Sequence, residues 1–276
     1  MSIFAYSEVG SRSHFWAPLG TAATAGTGDS GDTVSLDARK SWVTSAGQAD
    51  SYVWSSRPVG ATGPMTLWLV PGKTPGLRVM GKFDGVGLRG SASSPMSAVG
   101  AVVPPDARLG ADGAGWDVAL ITALPAFLVL NAAMSLGLME AQLAEAAAHL
   151  ARTRLQHLDQ TLAQQPVTRA AFARLRIQTD ATRAVLQDTL AALDTGRQDA
   201  KLRVLEVKAV ADQAAAEVAD GVLRLCGGAA FRKELGVERP FRDSFAARVM
   251  APTTDALHDF VGRLCLGLPL FDPLST

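Results

Sequence analysis

Cysteine is scarce in this 276-residue chain, which has only Cys226 and Cys265. Each stands in an apolar run without C-x-x-C spacing, so neither a disulfide framework nor a zinc site is expected. Two buried, reduced thiols in a cytoplasmic protein without a secretory leader are the expectation. An excess of either charge is also lacking: 26 basic side chains face 26 acidic ones. That balance removes the electrostatic case for nucleic acid or an anionic membrane as a partner. No apolar run is unbroken over the about 20 residues that a membrane span needs. The nearest, 118–139, contains Pro125, Asn131 and Ser135 and meets charge at Glu140. A buried helix in a bundle, and no membrane span, is the expectation there. Internal repeats and long low-complexity segments are absent as well.

What is present is a chain with 48% hydrophobic residues and a change of pattern near Gly110. Before it, short β-rich runs alternate with Gly, Pro, Ser and Thr clusters. Strands are expected at 3–7, 33–36, 41–44, 51–55, 65–70, 77–80 and 98–103, with an exposed turn over 25–32. After it, apolar residues recur every three or four positions over 116–156, 167–193, 198–225 and 239–266, with a break expected at Pro252. Gly227 and Gly228 are placed to stop the third of these helices. The expected fold class is α+β: a small antiparallel β-sandwich or barrel over 1–110, then an antiparallel four-helix bundle over 111–276.

Three segments carry a sharper signal. The first is Phe4-Ala-Tyr-Ser-Glu-Val-Gly-Ser-Arg-Ser-His14, and the second is Asp37-Ala-Arg-Lys-Ser-Trp-Val-Thr-Ser45. The third is Arg224-Leu-Cys-Gly-Gly-Ala-Ala-Phe231 followed by Val237-Glu-Arg-Pro-Phe-Arg-Asp243. In this order they resemble the flavin signature, the G-x-K-x-W-I-T-N segment and the Q-x-x-G-G…R-D run of the acyl-CoA dehydrogenase family. The resemblance implies bound FAD and an acyl-CoA or related thioester as substrate, with the electron acceptor unspecified. Tyr6 and Ser7 would then offer hydrogen bonds to the flavin ring, Trp42 would cover one ring face, and Thr44 would reach N5. Ser13 would lie near the pyrophosphate or the CoA arm. Arg224 and Thr253 join this cofactor set, and Gly227 and Gly228 would let backbone approach a neighbouring subunit's cofactor. Locally, the two glycines also read as a plain helix cap, and Trp42 as a core aromatic. Donors near N5 suit the chemistry, because a flavin accepting hydride there gains negative charge.

The family's catalytic carboxylate is missing from both positions where the resemblance would place it. Ala251 occupies one, in Met250-Ala-Pro-Thr253, and Phe127 the other. Asp117, Glu140, Asp255 and His258 are the remaining titratable candidates, and solvated or capping roles are expected for those on the last helix. Arg152 and Arg154 stand where the family has Arg-x-x-Phe-Gly, while Arg12 and His14 replace a glycine and an aspartate of the first signature. The family's first helical domain has no counterpart in the 276 residues, so a partner chain supplying it is one expectation. A dehydrogenase with a displaced base, a catalytically silent flavoprotein subunit, and a flavin monooxygenase of the same superfamily are the functions to separate. The last rests on the 251–263 segment. Self-association as a dimer or tetramer follows from the resemblance.

Overall fold

The computed structural model describes residues 1–11, 14–26 and 32–271. It divides into two units, Met1–Leu124 and Pro125–Thr276.

The first unit holds two sheets. One has the order β1 (Ser2–Ala5), β4 (Ser51–Ser56), β5 (Thr66–Pro71). The other runs β2 (Thr21–Thr24), β3 (Val34–Val43), β7 (Ser94–Val103), β6 (Leu77–Val79). Tyr52, Trp54, Trp68 and Val70 from the first sheet share one core with Leu36, Val43, Met96 and Ala101 from the second. The pairing is not wholly antiparallel, because β1 runs parallel to β4. Parallel partners need a long crossover, and no local signal announces one. The segments 33–36 and 41–44 are one strand rather than two, and β2 had no counterpart in the sequence reading. The turn expected over 25–32 falls mainly on 27–31, outside the described residues.

Within β3, period-2 alternation would put Lys40 and Trp42 on the same face. The ladder with β7 shifts register between Lys40 and Val43. Val43 is consequently buried and Trp42 faces out. A bulge that re-aims a side chain is a recurrent device beside functional sites. A single residue of slippage there decides whether Trp42 points outward or into the core.

At the junction a short helix α1 (Gly115–Asp117) and a π-helical turn (Val118–Ala123) lead into α2 (Leu124–Arg152). The second unit continues with α3 (Pro166–Asp194) and α4 (Ala200–Cys226). A two-residue-per-strand hairpin, β8 (Arg154–Leu155) with β9 (Gln160–Thr161), separates α2 from α3. The fourth expected helix is three pieces: α5 (Glu238–Ser244), α6 (Ala246–Val249) and α7 (Thr254–Cys265). The break spans Met250–Thr253, where Met250 is extended and Pro252 has no N–H to continue a helix.

The bundle core joins Ala132, Leu136 and Met139 of α2, Leu186 of α3, and Val207, Ala211, Ala215 and Val218 of α4. Alanines on α4 keep the helices close, and at Gly221 an added Cβ would stand 2.5 Å from Leu175 Cδ2. The helical stretch 115–152 is long and apolar enough to cross a membrane by length and composition, and a third of its most apolar window is buried. The expectation of a buried helix therefore holds for one stripe only. Leu128, Ala132, Ser135 and Met139 face inward, while Ile121 and Leu130 are exposed. Cys226 is buried, but Cys265 is exposed, contrary to expectation. The buried positions of α7 are Thr254, Leu257 and Phe260, and five further residues carry Cys265 about 140° around the helix.

Candidate functional site

In the first unit the segment after β1 runs beside β3. Ser41 N–H donates to Ser7 O at 2.9 Å, and Val9 N–H donates to Arg39 O at 3.1 Å. This ladder brings the first two motifs together. Tyr6 packs against Phe4 and Phe15 with ring centroids 5.2 and 6.4 Å away. Its hydroxyl is buried and finds no hydrogen-bond partner among the described residues, and burial pushes its pKa up. Ser7 lies next to it, half-buried. Trp42 is 62% exposed and meets the side chain of Phe83 edge-on at 6.3 Å. Thr44 is exposed, with Oγ1 3.3 Å from Ser93 Oγ. Ser13 and Arg12 lie outside the described residues. His14 is exposed, its Nδ1 3.1 Å from Ser11 O and its ring edge-on to Trp16.

Beneath that surface is a pair the sequence reading did not single out. Lys40, fully buried, reaches Glu8 Oε1 at 2.5 Å and Ser55 O and Oγ at 2.8 Å each. Its ammonium also sits 5.1 Å from the Trp54 ring centroid. The other oxygen of Glu8 accepts N–H bonds from Leu19 at 2.6 Å and Gly20 at 2.8 Å. Burial draws the Lys40 pKa from 10.5 down to about 8, against the opposing pull of Glu8. The pair therefore pins motif one to motif two. The signal was available: Glu8 and Lys40 sit inside the quoted motifs.

In the second unit Arg224 is exposed at the end of α4, 4.0 Å from Asp220. Gly227 caps the helix at φ 59°, ψ −146°, a conformation essentially reserved for glycine. No atom lies within 4 Å of where a Cβ would point on either Gly227 or Gly228, so backbone here is open to approach. Thr253 is the N-cap of α7, with its hydroxyl accepting Ala256 N–H at 3.3 Å. Ala251 and Phe127, at the two positions of the family carboxylate, are both half-buried.

Around the 247–252 segment lies a second buried pair. Lys208 Nζ donates to Asp212 Oδ2 at 2.6 Å, and Asp212 Oδ1 accepts from Ser135 Oγ at 3.1 Å. Burial raises the Asp212 pKa and lowers that of Lys208. With both oxygens bonded and no exposure, Asp212 has no free edge for a substrate. Of the other candidates, Glu140 is tied to Arg176 and Arg183. Asp117, Asp255 and His258 are exposed. Arg152 is exposed too, and Arg154 is engaged with Asp159 in the hairpin.

Family models match two stretches that nearly tile the chain. The acyl-CoA dehydrogenase middle domain matches residues 3–99, and the acyl-CoA dehydrogenase C-terminal domain matches residues 113–265. The chain belongs to the acyl-CoA dehydrogenase family. Among curated relatives it is 29% identical to the mitochondrial short-chain specific acyl-CoA dehydrogenase of Bos taurus, over 91% of this chain and 60% of that protein. It is 27% identical to cyclohex-1-ene-1-carbonyl-CoA dehydrogenase of Geobacter metallireducens, over 86% of this chain and 62% of that protein. The chain thus spans about three fifths of the length of these relatives. Butyryl-CoA dehydrogenase from Megasphaera elsdenii shares the fold with a TM-score of 0.88 at 22% identity, covering 96% of this chain and 68% of that one. An FAD-dependent dehydrogenase does so with a TM-score of 0.86 at 22% identity, covering 98% and 70%.

Proposed function

We propose that this chain holds FAD and takes part in oxidising the CH–CH bond of an acyl-CoA thioester. The observation that carries the reading is the outward turn of Trp42 beside the paired motif segments, with the indole presented to solvent rather than to the core. The residues present fit the cofactor. Tyr6 has an orphaned buried hydroxyl, Thr44 an exposed one, and Gly227 and Gly228 leave backbone uncovered. In the first unit Tyr6, Ser7, Trp42 and Thr44 would hold and cover an isoalloxazine; in the second, taken by itself, Arg224, Gly227, Gly228 and Thr253 offer charge, open backbone and a hydroxyl suited to the phosphate-bearing arm of an FAD. FAD supplies the hydride acceptor. The chain's own share is orientation, exclusion of water from one ring face, and donors aimed at developing charge.

The proton at the α-carbon needs a base, and neither Ala251 nor Phe127 can accept one. A second reading follows from the engaged state of Asp212 and Glu140 near the bundle core: a flavoprotein subunit that is catalytically silent by itself.

One experiment separates the two. Purified protein is examined by visible absorbance before and after anaerobic addition of a panel of acyl-CoA thioesters, alongside Ala251→Glu and Trp42→Ala. A flavin band that bleaches, faster by about 10²–10⁴ in Ala251→Glu, supports the oxidoreductase. A band that persists in wild type but bleaches only in Ala251→Glu supports the silent subunit. Absence of flavin, or Trp42→Ala retaining as much flavin as wild type, refutes the assignment of the site.

A further inference from the structure

The break between α6 and α7 frees the carbonyls of Met250 and Pro252 from helical pairing, and one side chain of α4 collects them together with that of Ala247. Lys208 Nζ lies 3.0 Å from Ala247 O, 3.1 Å from Pro252 O and 3.3 Å from Met250 O, in addition to 2.6 Å from Asp212 Oδ2. An ammonium has three N–H donors. Four acceptors surround it, so the longest contact, to Met250, shares a hydrogen with a neighbour. Ala247 O also accepts the Met250 N–H at 3.2 Å, so Lys208 matters most for Met250 O and Pro252 O, for which a buried carbonyl without a donor would be costly. Lys208 satisfies both from a point on a rigid 27-residue helix.

The carbonyls it gathers flank residue 251 on both sides, and Thr253 follows directly. The geometry points to Lys208 as a positioning residue: its buried ammonium fixes the 247–252 backbone and thereby sets where residue 251 and Thr253 stand relative to the cofactor. This rests on the function proposed above for the role of Thr253, but the local effect on the backbone does not. Asp212 is the anchor that keeps the ammonium charged and aimed, and Ser135 on α2 holds the second carboxylate oxygen. A methionine or leucine at 208 would fill the same volume and tie down none of the carbonyls. Packing alone therefore does not account for a lysine here.

The test is amide hydrogen exchange on the full chain, read for the 247–257 peptide against peptides from α3. In wild type the N–H groups of Met250, Ala256 and Leu257, which bond to Ala246, Thr253 Oγ1 and Thr253 O respectively, should be protected like those of α4. Exchange of these amides at the rate of an exposed chain end would overturn the proposal at once. In Lys208→Met, exchange over 247–257 should rise at least about tenfold while α3 stays within about twofold, a local opening distinct from global unfolding. FAD added to the flavin-stripped variant should bind at least about tenfold more weakly and show a shifted visible band. Ser135→Ala removes one hydrogen bond at Asp212 and spares the carbonyls, so it should leave the 247–257 peptide protected. If Lys208→Met does not fold, Lys208→Gln, which offers two N–H donors without charge to four acceptors, should show a smaller excess of exchange confined to 247–257, and no excess there would overturn the proposal. A uniform rise in exchange across α3 and α4, with no excess at 247–257, would mark Lys208 as a general stabiliser and refute the proposal. If wild type binds no FAD, the proposed function fails, and the exchange data still decide the role of Lys208.

Discussion

Breaking the Glu8–Lys40 pair should loosen the first unit far more than any exposed ion pair in the molecule would suggest. In Lys40→Met the Glu8 carboxylate keeps two backbone donors, Leu19 and Gly20, and loses its counter-ion in a fully buried position. Removing one partner of a buried pair costs about 3–5 kcal/mol. Glu8→Gln should cost less. Burial already draws the amine's pKa down to about 8 against the pull of Glu8, so without that carboxylate the amine can go neutral while still bonded to Ser55 O and Oγ. In the double variant neither charge is left, and methionine can lie against the Trp54 ring. Its cost should fall below the sum of the singles by at least about 2 kcal/mol, the signature of direct coupling. All five tryptophans (16, 42, 54, 68 and 116) lie within Met1–Leu124, so urea titration followed by tryptophan fluorescence reports this unit alone. Far-UV circular dichroism reports mainly the helices in parallel. The pH arm has a definite sign. The Lys40 pKa is lower folded than unfolded, so its contribution to stability is present above 10.5 and is lost as pH falls through about 8. Wild type should gain up to about 3 kcal/mol from this group across that window, and Lys40→Met should not. Additive single variants, or singles costing under about 1 kcal/mol, would refute the account of the pair as a coupled, desolvated clamp.

Asp112 accepts the N–H groups of Val59, Gly60 and Ala61 at 3.1, 3.0 and 2.9 Å and the Thr66 hydroxyl at 2.6 Å. Burial opposes ionisation, but these donors prevail and hold its pKa at about 2. Its stabilisation is therefore present above 3.8 and lost as pH falls towards 2; Asp112→Asn should cost about 1–2 kcal/mol near neutral pH and flatten the acid limb of a fluorescence-monitored titration. At Gly113 the backbone has φ +81° and an added Cβ would stand 2.4 Å from Thr62 O, whereas at Gly100, with φ +58°, no atom lies within 4 Å. Gly100→Ala should cost about 1–2 kcal/mol, the left-handed penalty alone, and Gly113→Ala distinctly more, both read from urea midpoints. Equal costs would mean that the Thr62 backbone yields freely.

Much of the fold was legible because the two periodicities are strong. The 166–194 and 200–226 helices appear within two residues of their expected ends. Tyr6, Ser7, Trp42 and Thr44 were singled out through motifs resembling those of the family, and the structure sets the two segments that carry them side by side. What was not legible depended on distant partners. The parallel alignment of β1 with β4 has no local mark. The bulge that turns Trp42 outward is set by the register of β3 against β7, more than fifty residues away in sequence. The last helix was expected to break at Pro252, but its interruption there spans Met250–Thr253, and the carbonyls of Met250 and Pro252 meet a lysine on another helix. Composition rules place lysine outside, so they do not mark Lys40 or Lys208 as buried.

Those two lysines also show what sequence periodicity underestimates about such a site. Lys208 and Asp212 occupy i and i+4 positions within the apolar stripe of α4, among Val204, Leu205, Ala211 and Ala215. Glu8 and Lys40 each stand inside a motif that also carries exposed members, Phe4 in the first and Trp42 and Thr44 in the second. Replacing a buried ion pair by apolar residues of similar volume is often neutral or stabilising, so stability alone gives no reason to keep either. What an ammonium does that an aliphatic side chain cannot is bind several oxygens along fixed directions at once. Lys40 does so for a carboxylate, a carbonyl and a hydroxyl, and Lys208 for a carboxylate and three carbonyls. In the first unit the segments so held are two of the motifs, and in the second it is the stretch that carries Ala251 and leads into Thr253. A polar anchor in an otherwise apolar stripe, within a few residues of a motif or facing a helix interruption, is therefore a sequence-level signal for backbone held by a buried charge.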